Sequence, residues 1–164
     1  MSRSCGEVAL RPRLDGEELV DSGSQWDDWG VRDTQPPEGI GRLVVTEDGV
    51  SVGDVSWHTV SYGANSGSRA LNIGISLAPS ARGRGIGSIA QRRLAEHLFA
   101  TTDIARVEAS TDVENVAEQR SLEKAGFHRE GVLRSAQARA DGRHDIVGYS
   151  FLRSDLAKSH HLPR

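Results

Sequence analysis

The pattern of apolar and polar positions gives three strand-like runs, Arg42 to Thr46, Val52 to Tyr62 and Ala70 to Leu77, rich in Val, Ile, Leu and aromatic residues. The joining segments, Glu47-Asp48-Gly49 and Gly63-Ala64-Asn65-Ser66-Gly67-Ser68, are rich in turn formers, so the three runs predict an antiparallel meander. A weaker alternation over Gly6 to Leu14 predicts a first strand, followed by a helical turn or two over Asp15 to Val20. Ser22 to Gly41 has no period. It carries Trp26, Trp29 and Pro36-Pro37 among glycines and polar residues and predicts a long loop or broken helix.

At Gly85 the period changes. Ile86, Ile89, Ala90, Leu94 and Leu98 recur at helical spacing, with Arg92, Arg93 and Glu96 between them, and predict an amphipathic helix from Gly85 to Thr101. Ile104 to Ala109 returns to strand character. Thr111-Asp112-Val113-Glu114 has the spacing of a capping box, which predicts a second helix from there to about Ala125, stopped by Gly126. Two strands, roughly Phe127 to Ala138 and Asp145 to Leu152, turn at Ala140 to Arg143. Ser159 to Arg164 reads as a frayed tail.

The chain has 164 residues, the length of one domain, and 37% of them are hydrophobic, so a packed core is within reach and disorder as the main state is excluded. With 20 basic against 23 acidic residues the net charge is −3, which excludes a general pull toward nucleic acid or anionic membrane. A phosphorylated ligand needs a local basic patch. The single Cys5 forms no internal disulfide and has no His or Asp arranged around it as a nucleophile would require. No apolar run is long enough for a signal peptide or a membrane span, so the expected location is cytoplasmic. His58, His97 and His128 are isolated and show no metal spacing.

Arg82-Gly83-Arg84-Gly85-Ile86-Gly87 lies between a predicted strand and the amphipathic helix. A helix start presents unpaired N–H groups and partial positive charge, and glycines let phosphates approach the backbone, so the segment suits a pyrophosphate. Four arginines and no acid occur from Arg82 to Arg93. A flexible loop with solvated arginines accounts for the same residues. A P-loop is excluded because no Lys precedes Ser88. A dinucleotide fold finds a fitting acid in Glu108, but the preceding strands read as antiparallel and the chain is short for a second half.

These residues match the Arg/Gln-x-x-Gly-x-Gly/Ala signature of the GNAT N-acetyltransferase family, and Asn115 with Glu123-Lys124-Ala125-Gly126-Phe127 resembles its second signature. The resemblance is to the branch that acetylates ribosomal-protein amino termini and to its small-molecule relatives, and it covers about residues 6 to 153. It implies an α/β (α+β) fold, in which helices flank a mixed, mostly antiparallel sheet of six to seven strands and a splayed parallel pair holds CoA. It also implies acetyl-CoA as cosubstrate. The backbone of Ile75, Ser76 and Leu77 would bind the pantetheine arm. The Arg82 to Ser88 segment (Arg82, Gly83, Arg84, Gly85, Ile86, Gly87, Ser88) would hold the pyrophosphate, and Asn115 would reach the pantetheine or thioester end.

The usual acid and base are missing. Where relatives of this branch place a serine near the thiol the chain has Glu118, where they place an acidic residue on the next strand it has Gln137, where others use a tyrosine it has Leu122, and Asn72 replaces a common glutamate. Orientation in a ternary complex and a backbone N–H near Leu77 can still drive acyl transfer. Glu118, one helical turn after Asn115, is the first candidate base, with a solvated helix carboxylate as the alternative, and His144 beside Asp145 is the second. The expected activity is transfer of an acetyl group to a primary amine, on a peptide or a small molecule, without metal, nucleic acid or membrane, by a monomer or homodimer. A non-catalytic acyl-CoA sensor and a nucleotide-binding regulatory domain would use the same loop.

Overall fold

A computed structural model of the chain describes residues 4–32 and 39–159. Seven strands form one sheet: β1 (Val8–Arg11), β2 (Gly41–Glu47), β3 (Val50–Ser61), β4 (Arg69–Leu77), β5 (Arg106–Asp112), β6 (His128–Arg139) and β7 (Gly142–Leu152). Helices α1 (Ile86–Thr101), α2 (Val116–Ala125) and α3 (Arg153–Ser159) accompany it. The order across the sheet is β1-β2-β3-β4-β5-β7-β6, and β4 with β5 is its parallel pair. The meander β2-β3-β4 is antiparallel, as the strand-like runs and their turn-forming joints predict. Its first turn places Asp48 at φ 50° and Gly49 at φ 79°, the paired left-handed residues of a tight hairpin.

The core lies between the sheet and α1. Ile86, Ala90, Leu94 and Leu98 are fully buried and pack with Val55, Ile73, Val107, Tyr149 and Phe151. Each large aliphatic side chain among them contributes about 1.5–3 kcal/mol by burial. α2 ends where Gly126 turns left-handed (φ 102°) and donates its N–H to Glu123 and Leu122 carbonyls. A Cβ there would stand 2.8 Å from the Phe151 ring, so the stop residue must also be small.

Several boundaries depart from the periodic reading. Residues 15–20 form no helix: Gly16 takes φ 76°, and the Glu17 carboxylate is held by the Leu14 amide (2.9 Å) and by Arg11 (2.6 and 2.8 Å). The first strand is correspondingly short. Thr111 and Asp112 belong to β5, which stays paired with β7 as far as Asp112 against Ile146, so the cap of α2 is Asn115, whose side-chain oxygen accepts from the Glu118 amide at 3.3 Å. The last strand is followed by α3. Its first residue, Arg153, donates to the Phe99, Thr102 and Ile104 carbonyls and so closes the carboxyl end of α1. Residues 160–164 of the predicted tail lie outside the described residues, as do 33–38 of the predicted loop.

The feature that makes a site is the short parallel pairing. β4 meets β5 only over Leu71, Ile73 and the residue between them. Beyond Ile73, β4 continues along β3 to Leu77 while β5 continues along β7, so the two carboxyl ends diverge.

Candidate active site

The divergence opens a cleft of about 890 Å³. One wall is Gly74 to Leu77, whose backbone edge toward β5 has no strand partner; the other is Ser110 and Thr111. The glycine loop and the start of α1 form one end. Gly83 (φ 70°) and Gly85 (φ 84°) adopt left-handed conformations there, and a Cβ on either would meet only open space. Gly85 precedes α1 and offers no side-chain cap, so the first-turn amides of Ile86, Gly87 and Ser88 receive no side-chain acceptor from the cap. The Ile86 side chain itself is buried in the core, and the Ser88 hydroxyl donates back to the Gly85 carbonyl at 3.0 Å.

Three of the four arginines of this region divide. Arg82 lines the cleft but donates to the Leu77 carbonyl at 3.1 Å and to the Ser22 carbonyl, which ties the glycine loop to the tryptophan loop. Arg84 turns away and pairs with Glu47, 37 residues back in the chain. Arg92 pairs with Glu96 at 2.7 Å. The acid-free basic patch expected from the sequence is therefore partly neutralised by Glu47 and Glu96. Arg120 and Lys124, on one face of α2 at i,i+4 spacing, supply cations to the cleft that the sequence reading passed over; that spacing was the available signal.

Asn115 stands at the cleft with its amide already used twice, accepting from the Glu118 amide and donating to Thr111 Oγ1 at 3.0 Å. Glu118 follows one turn later, half-buried in the cleft wall. Its carboxylate accepts from Gln91 Nε2, and Gln91 Oε1 accepts from Ser121 Oγ at 3.0 Å. Burial pushes the Glu118 carboxyl up to about 7, against the opposing pull of the Gln91 hydrogen bond. Gln91 and Ser121 were missed from the sequence. Gln91 is 1% exposed and in phase with Leu94, Ala95 and Leu98, and an amide on the buried face of a helix is the signal that finds it.

His144 is not a cleft-lining residue. Its Nε2 faces Asp141 at 2.6 Å and its Nδ1 faces Asp112 at 2.7 Å; Asp141 and then Asp112 raise the imidazole above its usual value despite partial desolvation. Burial would push Asp112 up, but the Glu114 amide, His144 and Arg139 outweigh it and hold the carboxyl below the usual range. Arg139 bonds Asp112 at 2.7 Å and Gln137 Oε1 at 2.7 Å, and its guanidinium lies over Trp26 (6.0 Å) and Trp29 (5.6 Å). This network fastens the tryptophan loop to the β6–β7 hairpin, where Ala140 N also donates to the Asp28 carbonyl at 3.1 Å. Trp26, Asp27, Trp29 and Gln137 form the remaining rim of the cleft. Among the described residues no group of His, Cys, Asp or Glu side chains is arranged to hold a metal, and no helix is long and apolar enough to cross a membrane.

Residues 14–128 match the family model described as an acetyltransferase (GNAT) domain. A probable N-acetyltransferase of Bacillus subtilis, YjcK, is 33% identical over 92 residues, which is 56% of this chain and 49% of the relative. The chain thus spans about half the length of the curated relative it matches. Among solved structures, Mycobacterium smegmatis RimJ in complex with CoA-disulfide is similar with a TM-score of 0.64 and 26% identity, over 71% of this chain and 55% of that one. The ribosomal-protein-S5-alanine acetyltransferase of Vibrio fischeri shares the fold with a TM-score of 0.60 and 22% identity, over 70% and 62% of the two chains. With a splayed parallel pair, a glycine loop at a helix start and a family match over most of its length, this chain belongs to the GNAT acetyltransferase family.

Proposed function

We propose that the protein is an acetyl-CoA-dependent N-acetyltransferase that acetylates a primary amine, on a protein amino terminus or a small molecule, by direct attack in a ternary complex. The observation that carries this is the cleft itself, where an unpaired strand edge at Gly74 to Leu77 runs into the unpartnered amides at the start of α1. The amides suit a pyrophosphate, and the strand edge suits the amide-containing pantetheine arm. The RimJ relative, which was solved with CoA-disulfide, supports the same ligand for this chain.

In the reaction the amine nitrogen attacks the thioester carbonyl, the C–N bond forms, the nitrogen gives up a proton, the C–S bond breaks, and the leaving thiolate takes up a proton to become the free thiol of CoA. A backbone N–H at the free edge of β4 would polarise the carbonyl. Glu118 is the proposed base. A carboxylate of ordinary acidity is too weak to accept an amine proton efficiently near neutrality, and one raised to about 7 by burial is matched to that task. Gln91, itself held by Ser121, would keep the carboxylate in one orientation.

The test is release of free thiol from acetyl-CoA against a panel of amines and amino-terminal peptides. Acetyl-CoA binding with amine-dependent release is the expected result. Binding with no release against any acceptor would make the chain an acyl-CoA sensor, and no binding would remove the acyltransferase reading altogether.

A further inference from the structure

The β6–β7 hairpin brings Gln137 to the cleft rim through an irregular stretch that the mechanism above does not use. Leu133 pairs with Ile146 and Gln137 with His144, so four steps along β6 face two along β7. The extra residues form a bulge; with regular pairing Ser135, not Gln137, would stand opposite His144. Ser135 takes φ 55°, a left-handed conformation that residues with a Cβ rarely adopt. Two side chains of β7 hold it there: the Asp145 carboxylate accepts from the Ser135 amide at 2.6 Å, and Arg143 Nε donates to the Ser135 carbonyl at 2.9 Å.

We propose that Gln137 binds the amine acceptor: its side-chain N–H group donates to a carbonyl or hydroxyl oxygen of the acceptor, with Arg139 as the positioning residue that aims it. Oxygen-bearing amines, such as a peptide amino terminus or an amino alcohol, are then preferred to plain alkylamines. The proposal rests on the acetyltransferase reading above and names the acceptor chemistry within it.

Orientation is the first argument. Arg139 carries only donors, so the Gln137 atom it meets at 2.7 Å is the carbonyl oxygen, Oε1, and the Nε2 group is left for another partner. Nε2 has none among the described residues, and Gln137 lines the cleft. An amide cannot serve as a base, but a fixed amide donor selects for an oxygen opposite it. Rigidity is the second argument. The Arg139 side chain is 5% exposed, bonds Asp112 at 2.7 Å and lies over Trp26 and Trp29, so one guanidinium fixes both the amide and the tryptophans of the same rim. Gln137 has a bland use, which is to satisfy Arg139. Against that use, Arg139 Nε is buried with no partner among the described residues, and a strained bulge is maintained to bring the amide opposite His144.

The test is kcat/KM by thiol release from acetyl-CoA with three acceptors of matched length: glycylglycinamide, 2-(2-aminoethoxy)ethanol and n-hexylamine. Parent and variant are compared on the same acceptor, so differences in amine basicity cancel. Loss of one neutral hydrogen bond predicts that Gln137→Leu lowers kcat/KM roughly 5- to 20-fold on one or both oxygen-bearing acceptors, while hexylamine and the affinity for acetyl-CoA stay within about 2-fold. A loss on the amide alone assigns the partner as a carbonyl, and a loss on the ether alcohol alone assigns it as a hydroxyl. Gln137→Glu keeps the shape and the contact with Arg139 but presents only acceptor oxygens, so it should lose as much as Gln137→Leu. Arg139→Lys keeps a charge beside Asp112 without the fork that also reaches Gln137, and should shift the same acceptors in the same direction. The Gln137 variants decide the matter if Arg139→Lys fails to fold. Equal changes on all three acceptors, no change on any, or full activity of Gln137→Glu on the oxygen-bearing pair would overturn the role of Gln137 and leave the acetyltransferase reading standing. No release from the parent with any acceptor would overturn both.

Discussion

Replacing Glu118 by Gln should make the protein more stable and less active, with both effects governed by pH. The carboxyl sits half-buried in the cleft wall, and its rise from 4.5 to about 7 is worth about 3 kcal/mol between the protonated and ionised forms. Because the folded value lies above the unfolded one, the folded state holds the proton more tightly, and stability falls as pH rises from about 4.5 to about 7. The substituted amide would still accept from Gln91 but would not titrate. The variant should therefore exceed the parent in stability by about 1 kcal/mol at pH 5, widening to about 3 kcal/mol at pH 8, with partial hydration of the open wall making the second figure an upper bound. Urea unfolding followed by circular dichroism at the two pH values measures the gap. A gap that does not widen with pH would mean that Glu118 titrates normally and that burial does not control it. In turnover the same variant should lose roughly 10- to 1000-fold near neutrality while acetyl-CoA affinity stays within a few fold, and the deficit should shrink as free amine accumulates at higher pH. Full activity from pH 6 to 9 would leave Glu118 a structural carboxyl held by Gln91 and not the base.

Gly87→Glu should abolish acetyl-CoA binding by titration while the chain stays folded, because it puts a negative side chain at the proposed phosphate site, and the nearest neighbour of its Cβ is the rotatable Ser121 Oγ at 3.1 Å; retained affinity would move that site elsewhere. Gly85→Glu should do the same with an added backbone penalty of about 1–2 kcal/mol, since Gly85 has φ 84°. Arg84→Ala should lower the urea midpoint by breaking the pair with Glu47 and leave the CoA to dephospho-CoA affinity ratio unchanged, and a changed ratio would return Arg84 to the phosphate site. His144→Gln should destabilise the protein most at acidic pH: the raised imidazole is stabilising in full below its ordinary value of 6.5, and that contribution is lost as pH rises through the higher folded value. A parent-to-variant gap in urea midpoint that is unchanged from pH 5.5 to 9 would refute a protonated His144 between Asp141 and Asp112.

Local order was written in the periods of the chain. Strand-like runs bounded by turn formers located β2, β3 and β4, helical spacing located α1, and Gly126 marked the end of α2, because each depends on neighbours within a few residues. The glycine loop before α1 was legible for the same reason, since a helix start is a local object. What made these elements a site depends on pairings across the chain. The cleft exists because β4 and β5 stop pairing after Ile73, and no period in either strand announces where a register ends. Glu118 acquires its raised carboxyl from burial against α1, where Gln91, 27 residues earlier, holds it. The partner of Arg84 comes from β2, and Asp112 meets His144 across 32 residues, which turned an expected phosphate ligand into a tie and a candidate base into part of a clamp. Helix α3 was invisible because it is seven residues long and held by Arg153 on the carboxyl end of α1 rather than by its own propensity. Charge and hydrogen-bond partners are chosen by distance in space, and only the folded sheet sets those distances.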